Sequence, residues 1–214
     1  MRHKHISTMI LCLGMLFLGQ LSQAQELTAE QVMKKVQDVY ADKCCFQAGF
    51  DQVTVNVSMD IKDTFEGTMY VKMPGHITLD VYSPERQKVV MKGRSYSVQF
   101  LEDQTSVTGE IPGELNVENF FSFFTNIGAI DKNFSFRFPQ RPKDLDNNLI
   151  LVELTSSRAA PGSYRITLGI DSRKYTINRA IIYDALGNYN RFDLSEIKFL
   201  PSIPDRIFDV SGSR

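Results

Sequence analysis

Alternation of apolar and polar residues dominates this chain from about residue 50 onward. In the run 71–84, VKMPGHITLDVYSP, one parity is apolar on both sides of Pro74-Gly75, and it comprises Val71, Met73, Ile77, Leu79 and Val81. Successive side chains of a strand point to opposite faces of a sheet. The run therefore predicts two strands whose apolar faces lie on the same side.

Comparable runs predict a mainly β fold. The first five predicted strands lie at 53–61, 65–73, 77–81, 89–91 and 96–100, and the later ones at 133–138, 149–154, 164–170, 175–183 and 191–199. Asp184 to Asn188 has the composition of a hairpin turn. Together these strands predict one large, curved antiparallel sheet, which either closes on its own side chains or leaves a groove that helices cover.

Two helices are predicted beside the sheet. Thr28 and Gln31 have the spacing of a capping box, and apolar residues then recur at helical spacing, which predicts a helix from about Thr28 to Asp42. The segment 116–128, NVENFFSFFTNIG, predicts a second helix with four phenylalanines around it. This helix fits a core element and a lid over a binding cavity equally well.

The first 24 residues have the pattern of a secretory signal peptide. Arg2 and Lys4 precede an apolar stretch at 9–18, and small residues precede Gln25. A retained membrane anchor is the alternative, but the stretch is shorter than the ~20 residues that span a bilayer. We therefore expect residues 1–24 to be removed on export and residues 25–214 to form a single domain.

Charge and side-chain inventory argue against several functions. Without residues 1–24 the chain has 22 basic and 25 acidic residues, which does not suit nucleic acid. His76 is then the only histidine, so we predict no catalytic triad, metal or cofactor. Cys44 and Cys45 are neighbours, which leaves a strained vicinal disulfide and a pair of reduced, small apolar side chains both open.

Several segments occur in an order that resembles the outer-membrane lipoprotein carrier family of the LolA type. They are Phe50-Asp-Gln52, Gly67-Thr-Met-Tyr-Val-Lys-Met-Pro74-Gly75, Pro84-Glu-Arg-Gln87-Lys-Val-Val-Met-Lys-Gly93-Arg-Ser-Tyr96, Asp184-Ala-Leu-Gly187-Asn188 and Ile203-Pro-Asp-Arg-Ile-Phe208. The resemblance implies an unclosed antiparallel β-barrel of about ten to eleven strands, with two or three helices as a lid.

The same resemblance implies a monomeric, non-enzymatic carrier in the periplasm of a Gram-negative bacterium. Its apolar cavity would shield the acyl chains of lipoproteins on their way from an inner-membrane lipoprotein-releasing transporter to an outer-membrane acceptor. Substituting Ile77 or Leu79 with glutamate should then block cargo uptake in a folded protein. We predict an acyl-chain cavity lined by Val55, Val57, Met59, Met69, Val71, Met73, Ile77, Leu79, Val81, Val89, Met91, Tyr96, Val98, Phe100, Phe120, Phe121 and Phe124.

One position departs from the family pattern. The resemblance implies an arginine before the proline of the second strand, where it would latch the helical lid, but this chain has Met73 there. Three explanations stay open: another residue closes the lid, apolar contact alone closes it, or the cargo is another envelope lipid or a glycolipid. A non-enzymatic envelope sensor domain of similar fold also stays open. A lipid hydrolase, or a thiol oxidoreductase using the two cysteines, is disfavoured. The sequence has no nucleophile elbow, no metal constellation, no Cys-x-x-Cys motif and only one histidine after residue 24.

Overall fold

The structure is a computed structural model that describes residues 26–110, 124–132, 134–140, 148–156 and 165–210. Its centre is a single antiparallel sheet of 11 strands in the order β6-β5-β4-β3-β2-β1-β11-β10-β9-β8-β7. The strands are β1 Cys45–Asn56, β2 Ile61–Lys72, β3 His76–Ser83, β4 Gln87–Lys92, β5 Ser95–Phe100, β6 Thr105–Glu110, β7 Phe134–Arg137, β8 Leu149–Ser156, β9 Arg165–Asp171, β10 Ile177–Tyr183 and β11 Tyr189–Leu200.

This order confirms the predicted fold class. The first and last strands of the chain, β1 and β11, are hydrogen-bonded neighbours in the middle of the sheet. Strands β6 and β7 stand at opposite ends of the order, so the sheet is not closed. The result is a mainly β fold, consistent with an open barrel and a helical lid.

The helix α1, Ala29–Tyr40, confirms the predicted first helix. Thr28 is its N-cap, with its hydroxyl oxygen accepting from the backbone N–H of Gln31 at 3.3 Å. The Gln31 side chain in turn accepts from the backbone N–H of Thr28, which completes the capping box. One face of the helix, including Val32 and Val36, is buried against the sheet.

Most of the predicted second helix lies outside the described residues, because the structure describes none of 111–123. Its last part is described: residues 124–125 are helical, and a kinked 3-10 helix follows at Ile127–Lys132. A second 3-10 helix spans Asp205–Phe208. None of the helices within the described ranges is long and apolar enough to cross a membrane.

The predicted strand at 53–61 is wrong in its bounds. The chain turns at residues 57–60, between β1 and β2. The turn contains neither Gly nor Pro: Asn56 Oδ1 accepts from the backbone N–H of Met59 at 3.1 Å, and Asp60 has a positive φ of 53°. Asn and Asp bond to nearby backbone groups and tolerate the left-handed region better than most residues do.

Cross-strand pairing defines two faces of the sheet. We call inner the face that α1 covers, where β1 contributes Phe46, Ala48 and Phe50 to the main hydrophobic core. The other face is the outer face. There the segment 201–210 packs across the sheet and buries Ile203 and Phe208 with Cys45 and Val90. We call this group the outer cluster.

Polar contacts hold the segment 201–210 in place. The Thr78 hydroxyl donates to the carbonyl of Ile207 at 2.8 Å, and Lys72 forms an ion pair with Asp205. The outer face of β7–β11 is also polar: Glu153, 7% exposed, accepts from Arg137 Nε at 2.8 Å. The apolar core therefore lies on the inner face, and any apolar ligand site in the sheet belongs there.

Candidate ligand-binding face

One row of the inner face runs across six neighbouring strands, from β1 to β6. It comprises Ala48, Met69, Leu79, Val89, Val98 and Val107, each paired with the next. Met69 is fully buried and Leu79 is 5% exposed, whereas Val89 and Val98 are partly exposed and Val107 is 53% exposed. The apolar inner face is therefore progressively uncovered towards the β6 edge.

The next row of the same face shows the same trend. Phe46, Val71 and Ile77 on β1 to β3 are buried, whereas Met91 on β4 and Tyr96 on β5 are partly exposed. Two independent rows thus lose cover at the same place, between β3 and β4.

We call the uncovered part the open wall. Its side chains are apolar or aromatic, and the charged residues Lys88 and Lys92 of β4 have the opposite parity and belong to the outer face. Such a surface favours hydrocarbon, and a flexible side chain such as Met91 adapts to variable apolar shapes. The open wall consists of Val89, Met91, Tyr96, Val98, Phe100 and Val107.

Most of the remaining inner face is the covered part, formed by β1–β3 and β7–β11. Helix α1 lies over it, with the Tyr40 ring edge-on to Phe46 and Phe199 at centroid distances of 5.8 and 5.2 Å. Phe124 and Ile127, from the segment before β7, are fully buried in the same core. This part of the face is occupied by the protein's own side chains.

The predicted cavity residues separate into distinct groups. Val89, Met91, Tyr96, Val98 and Phe100 lie together on the open wall, and Met73 is partly buried against the core. Phe120 and Phe121 lie outside the described residues. The predicted residues buried in the core are Met69, Val71, Ile77, Leu79, Val81 and Phe124.

Three predicted residues are not on this face with the others. Val55 pairs with Lys62 of β2, so it has the parity opposite to Met69 and lies on the outer face. Val57 and Met59 are in the β1–β2 turn and are 58% and 62% exposed. Because that turn interrupts the run 53–61, the shared parity of these residues does not place them on the inner face.

Met73 and Lys72 show how the departure from the family pattern is arranged. Met73 packs against the core, whereas Lys72 lies on the outer face and pairs with Asp205. The hydrogen bond to Asp205 raises the pKa of Lys72, and the same bond lowers the pKa of Asp205. Lys72 is thus committed to the outer face and cannot replace an inward-facing arginine.

The inner face ends in a polar group that sequence patterns did not identify. At the far ends of β1 and β11 the inner positions are Gln52, Thr54 and Asn190. The Thr54 hydroxyl donates to Asn190 Oδ1, and Gln52 Nε2 donates to the same oxygen at 3.2 Å. A pocket of about 290 Å³ lies beside them. The available signal was a run of polar residues at alternate positions, Gln52, Thr54 and Asn56.

The cysteines and the histidine lie away from the inner face. Cys44 and Cys45 are free thiols with their sulfur atoms 2.7 Å apart, and burial raises the pKa of Cys45 to about 11. Cys45 belongs to the outer cluster, and His76 packs edge-on against Phe208 of the same cluster. Within the described ranges there is no group of three metal-ligating side chains.

Comparisons with known proteins give one family match and several similar solved structures. Residues 44–211 match the family model described as "Outer membrane lipoprotein carrier protein LolA". A solved LolA-superfamily protein from Nitrosomonas europaea is 16% identical, with 86% of this chain and 98% of the other covered and a TM-score of 0.45. No curated protein matches the chain.

Two further solved structures are similar at comparable levels. The Mycobacterium tuberculosis lipoprotein LppX is 11% identical, with 81% of this chain and 95% of the other covered and a TM-score of 0.45. The Pseudomonas aeruginosa MucA/MucB complex gives 12% identity, 86% and 61% coverage and the same TM-score.

Proposed function

This chain belongs to the LolA family of outer membrane lipoprotein carrier proteins, and we propose that it is a periplasmic carrier of lipoproteins. It shields their acyl chains in an apolar cavity and passes them from the inner to the outer membrane. The observation that carries this proposal is the open wall: an apolar inner face that is buried on β1–β3 and uncovered on β4–β6.

The open wall supplies the driving force for binding. Each methylene that leaves water contributes about 0.8 kcal/mol, so a ligand with two or three acyl chains gains far more than a polar ligand of equal size. The wall has no charged side chain at its inner positions on β4–β6, so hydrocarbon can bind there without burying an unpaired charge.

Partial cover is also consistent with release. Val89 and Met91 already pack against the core, so part of the wall is shielded before any ligand binds. A bound ligand must replace these contacts between the wall and the core. Its net binding free energy is therefore only the difference between its own contacts with the wall and the contacts that it displaces. This reduces the affinity of the cargo and allows an acceptor to remove it.

Export, the extent of the carrier domain and its partners follow from the carrier role. Residues 1–24 direct export and are removed, and residues 25–214 form the carrier domain, which acts as a monomer without enzymatic activity. The donor is an inner-membrane lipoprotein-releasing transporter, and the acceptor is at the outer membrane. Acyl chains contact the open wall directly, and the buried residues of β2 and β3, such as Met69 and Ile77, support it from the adjoining core.

The test is binding of a fluorescent apolar probe to the purified protein and to a Val98→Glu variant. Val98 is in the middle of the open wall and only partly buried, so glutamate there adds a charge to the ligand face without removing a core side chain. We expect the native protein to bind the probe saturably and the variant to lose at least about tenfold in affinity, since hydrocarbon would have to desolvate the carboxylate.

Val53→Glu is the matched control. Val53 is on the outer face of β1 and pairs with Arg191, so the same substitution there adds an equal charge beside a cation. We expect native probe affinity for this variant. A native protein with no saturable probe binding would contradict the carrier role, and equal losses in both variants would contradict the assignment of the face.

A carrier of another envelope lipid or of a glycolipid is the second candidate. The observation in its favour is the pair Met73 and Lys72: the first is apolar where the family pattern implies arginine, and the second is committed to Asp205 on the outer face. Mass spectrometry of the lipids and lipoproteins that co-purify with the protein distinguishes the two. Glycolipid without lipoprotein would favour the second candidate.

A further inference from the structure

The pocket at the end of β1 and β11 has features of a binding site for a polar group. It has a volume of about 290 Å³ and lies where the β1–β2 turn approaches the β10–β11 turn. The amide residues Asn56, Asn188 and Asn190 line it together with Thr54 and Asp184. We call it the amide pocket.

Two of these amides have hydrogen-bond donors to spare. Asn190 uses only its oxygen, which accepts from Thr54 and Gln52. Asn56 also uses only its oxygen, which accepts from the Ser58 hydroxyl at 2.8 Å and the Met59 N–H at 3.1 Å. Within the described part of the chain, neither side-chain NH₂ group has an acceptor. Each side-chain amide carries two N–H donors, so the pocket offers donors for oxygen atoms of a ligand.

The other polar groups of the pocket form hydrogen bonds within the protein. Asp184 accepts from the backbone N–H groups of Leu186 and Asn188, both at 2.9 Å, and from Asn188 Nδ2 at 2.8 Å. Asn188 Oδ1 accepts from the N–H of Val57 at 2.9 Å and so connects the two turns. These bonds hold the pocket in shape and leave recognition to Asn56 and Asn190.

The charge of the lining favours an uncharged ligand group. Asp184 contributes a carboxylate, and no lysine or arginine is among the lining residues. A phosphate or free carboxylate there would face a like charge without a cation, whereas an uncharged carbonyl would accept from the spare amides without that cost.

The amide pocket adjoins apolar surface on the inner face. Ile182, 2% exposed, lines the pocket and belongs to the main core, and the neighbouring inner position Gln52 pairs with the partly buried Phe65. Across the sheet, β4, where the open wall begins, is three strand spacings from β1, or roughly 14 Å. The inner row that reaches Phe100 is level with Phe50, which is four residues from Thr54 along β1, or roughly 13 Å. The two offsets together give roughly 19 Å, which a long acyl chain can span.

We propose that the amide pocket binds the uncharged ester or amide carbonyls at the point where acyl chains join the rest of a lipid or lipopeptide. The inference rests on the proposed carrier function, since it assigns the polar end of a ligand whose chains lie on the open wall. Diacylglyceryl lipopeptides and neutral glycolipids share this chemistry.

The experiment compares Asn190→Asp with the native protein. Aspartate keeps an oxygen that accepts from Thr54 and Gln52, so it preserves the internal bonds while it removes the NH₂ donors and adds a negative charge. Three ligands compete against a fluorescent apolar probe: a diacylglyceryl lipopeptide, a neutral monoglycosyl diacylglycerol and a diacylglycerol without a headgroup. We expect about tenfold weaker binding of all three, the effect of one or two lost hydrogen bonds.

Two further variants complete the design. Asn56→Asp follows the same logic, because aspartate still accepts from Met59 and Ser58, and it replaces Asn190→Asp if that variant does not fold. Asn126→Asp makes the same chemical change at an exposed residue outside the pocket, and we expect native affinities for it.

The outcomes separate this inference from the carrier function. Unchanged affinity of all three ligands in both pocket variants would overturn the inference while probe binding still supports a carrier. Weaker binding of the glycolipid alone would overturn the carbonyl assignment and indicate that the pocket binds the sugar. Weaker binding of the lipopeptide alone would indicate that the pocket binds the peptide part, and it would overturn the carbonyl assignment as well. A native protein that binds neither probe nor ligands would overturn both proposals.

Discussion

The covered part of the inner face and the open wall have the same strand pattern and the same kind of side chains. Met69 and Met91 illustrate the difference, because both point to the inner face but only Met69 is fully buried. What differs is the cover: α1 and the segment around Ile127 lie over the core, whereas the open wall is at its margin. Alternation along the strands therefore determines which face is apolar, and tertiary packing determines whether that face remains free.

The strongest test of this difference is the pair Met69→Ala and Met91→Ala. Removing a fully buried methionine side chain leaves a cavity, so Met69→Ala should lower the free energy of unfolding by about 2–5 kcal/mol. Met91→Ala should lower it by less than about 1.5 kcal/mol, since water already reaches part of the side chain. Urea denaturation followed by circular dichroism measures both.

Apolar-probe binding gives the complementary result for these variants. Met91→Ala removes a side chain of the ligand face and should weaken binding more than Met69→Ala does. Equal losses of stability in the two variants would show that the open wall is as tightly packed as the core.

The next largest effect is expected for a pair of glycines on the same face. A Cβ atom on Gly67 of β2 would collide with the carbonyl of Asp80 and lie 2.7 Å from Phe50 Cε1. A Cβ on Gly109 of β6 would meet only the outer end of the Tyr96 ring, 2.9 Å from its hydroxyl oxygen. Gly67→Ala should therefore cost about 1–3 kcal/mol of stability, and Gly109→Ala much less, because Tyr96 can move.

Thermal unfolding monitored by circular dichroism can rank the two glycine variants. If Gly109→Ala lowers the melting temperature as much as Gly67→Ala, then Tyr96 is held as rigidly as the buried Phe50, and the open wall is not adaptable.

The smallest expected effect concerns Tyr40 in the covered part. Burial raises the pKa of Tyr40 to about 12, opposed by a hydrogen bond from the backbone N–H of Ile177. The ordinary value is about 10, so the unfolded chain loses this proton first as the pH rises. The raised pKa of Tyr40 therefore contributes to the free energy of unfolding in full below about pH 10. This contribution is lost as the pH rises towards 12, and about 1 kcal/mol of it is lost by pH 10.5.

Tyr40→Phe provides the comparison for this pH effect. The variant keeps the ring between Phe46 and Phe199 but has no ionisable hydroxyl, so its stability should fall less between pH 9 and pH 10.5 than that of the native protein. Urea denaturation at these two pH values measures the difference. If the native protein and Tyr40→Phe lose the same stability between these pH values, the Tyr40 hydroxyl is accessible to water.

Much of the fold was predictable because its signals are local. The capping box at Thr28 and the alternation in β2 to β5 depend on residues close in sequence, and both predictions agree with the structure. The turn at 57–60 was missed because it uses Asn56 and Asp60 in place of Gly or Pro. Strand β6 was missed because TSVTGE has a single large apolar residue, Val107.

The site was predictable only in part, since cover depends on residues far apart in sequence. Parity correctly grouped Val89 with Val98, but it could not show that Ile77 and Leu79 are fully enclosed. A glutamate at Ile77 would bury a charge in the core and unfold the protein, so the blocking substitution belongs at Val98. The amide pocket depends on Asn56 and Asn190, which come from different hairpins.

The segment 201–210 has a mechanical consequence. It continues from β11 and crosses the outer side of β1 and β2 to reach β3 and β4, where Thr78 and Val90 hold it. It therefore connects β11 to β3 and β4 across the outer side of a curved sheet, and the middle of the sheet cannot flatten without breaking those attachments. The attachments at Thr78 and Val90 are on β3 and β4, so a change in the width of the interior falls to the strands on either side of the attached part of the sheet.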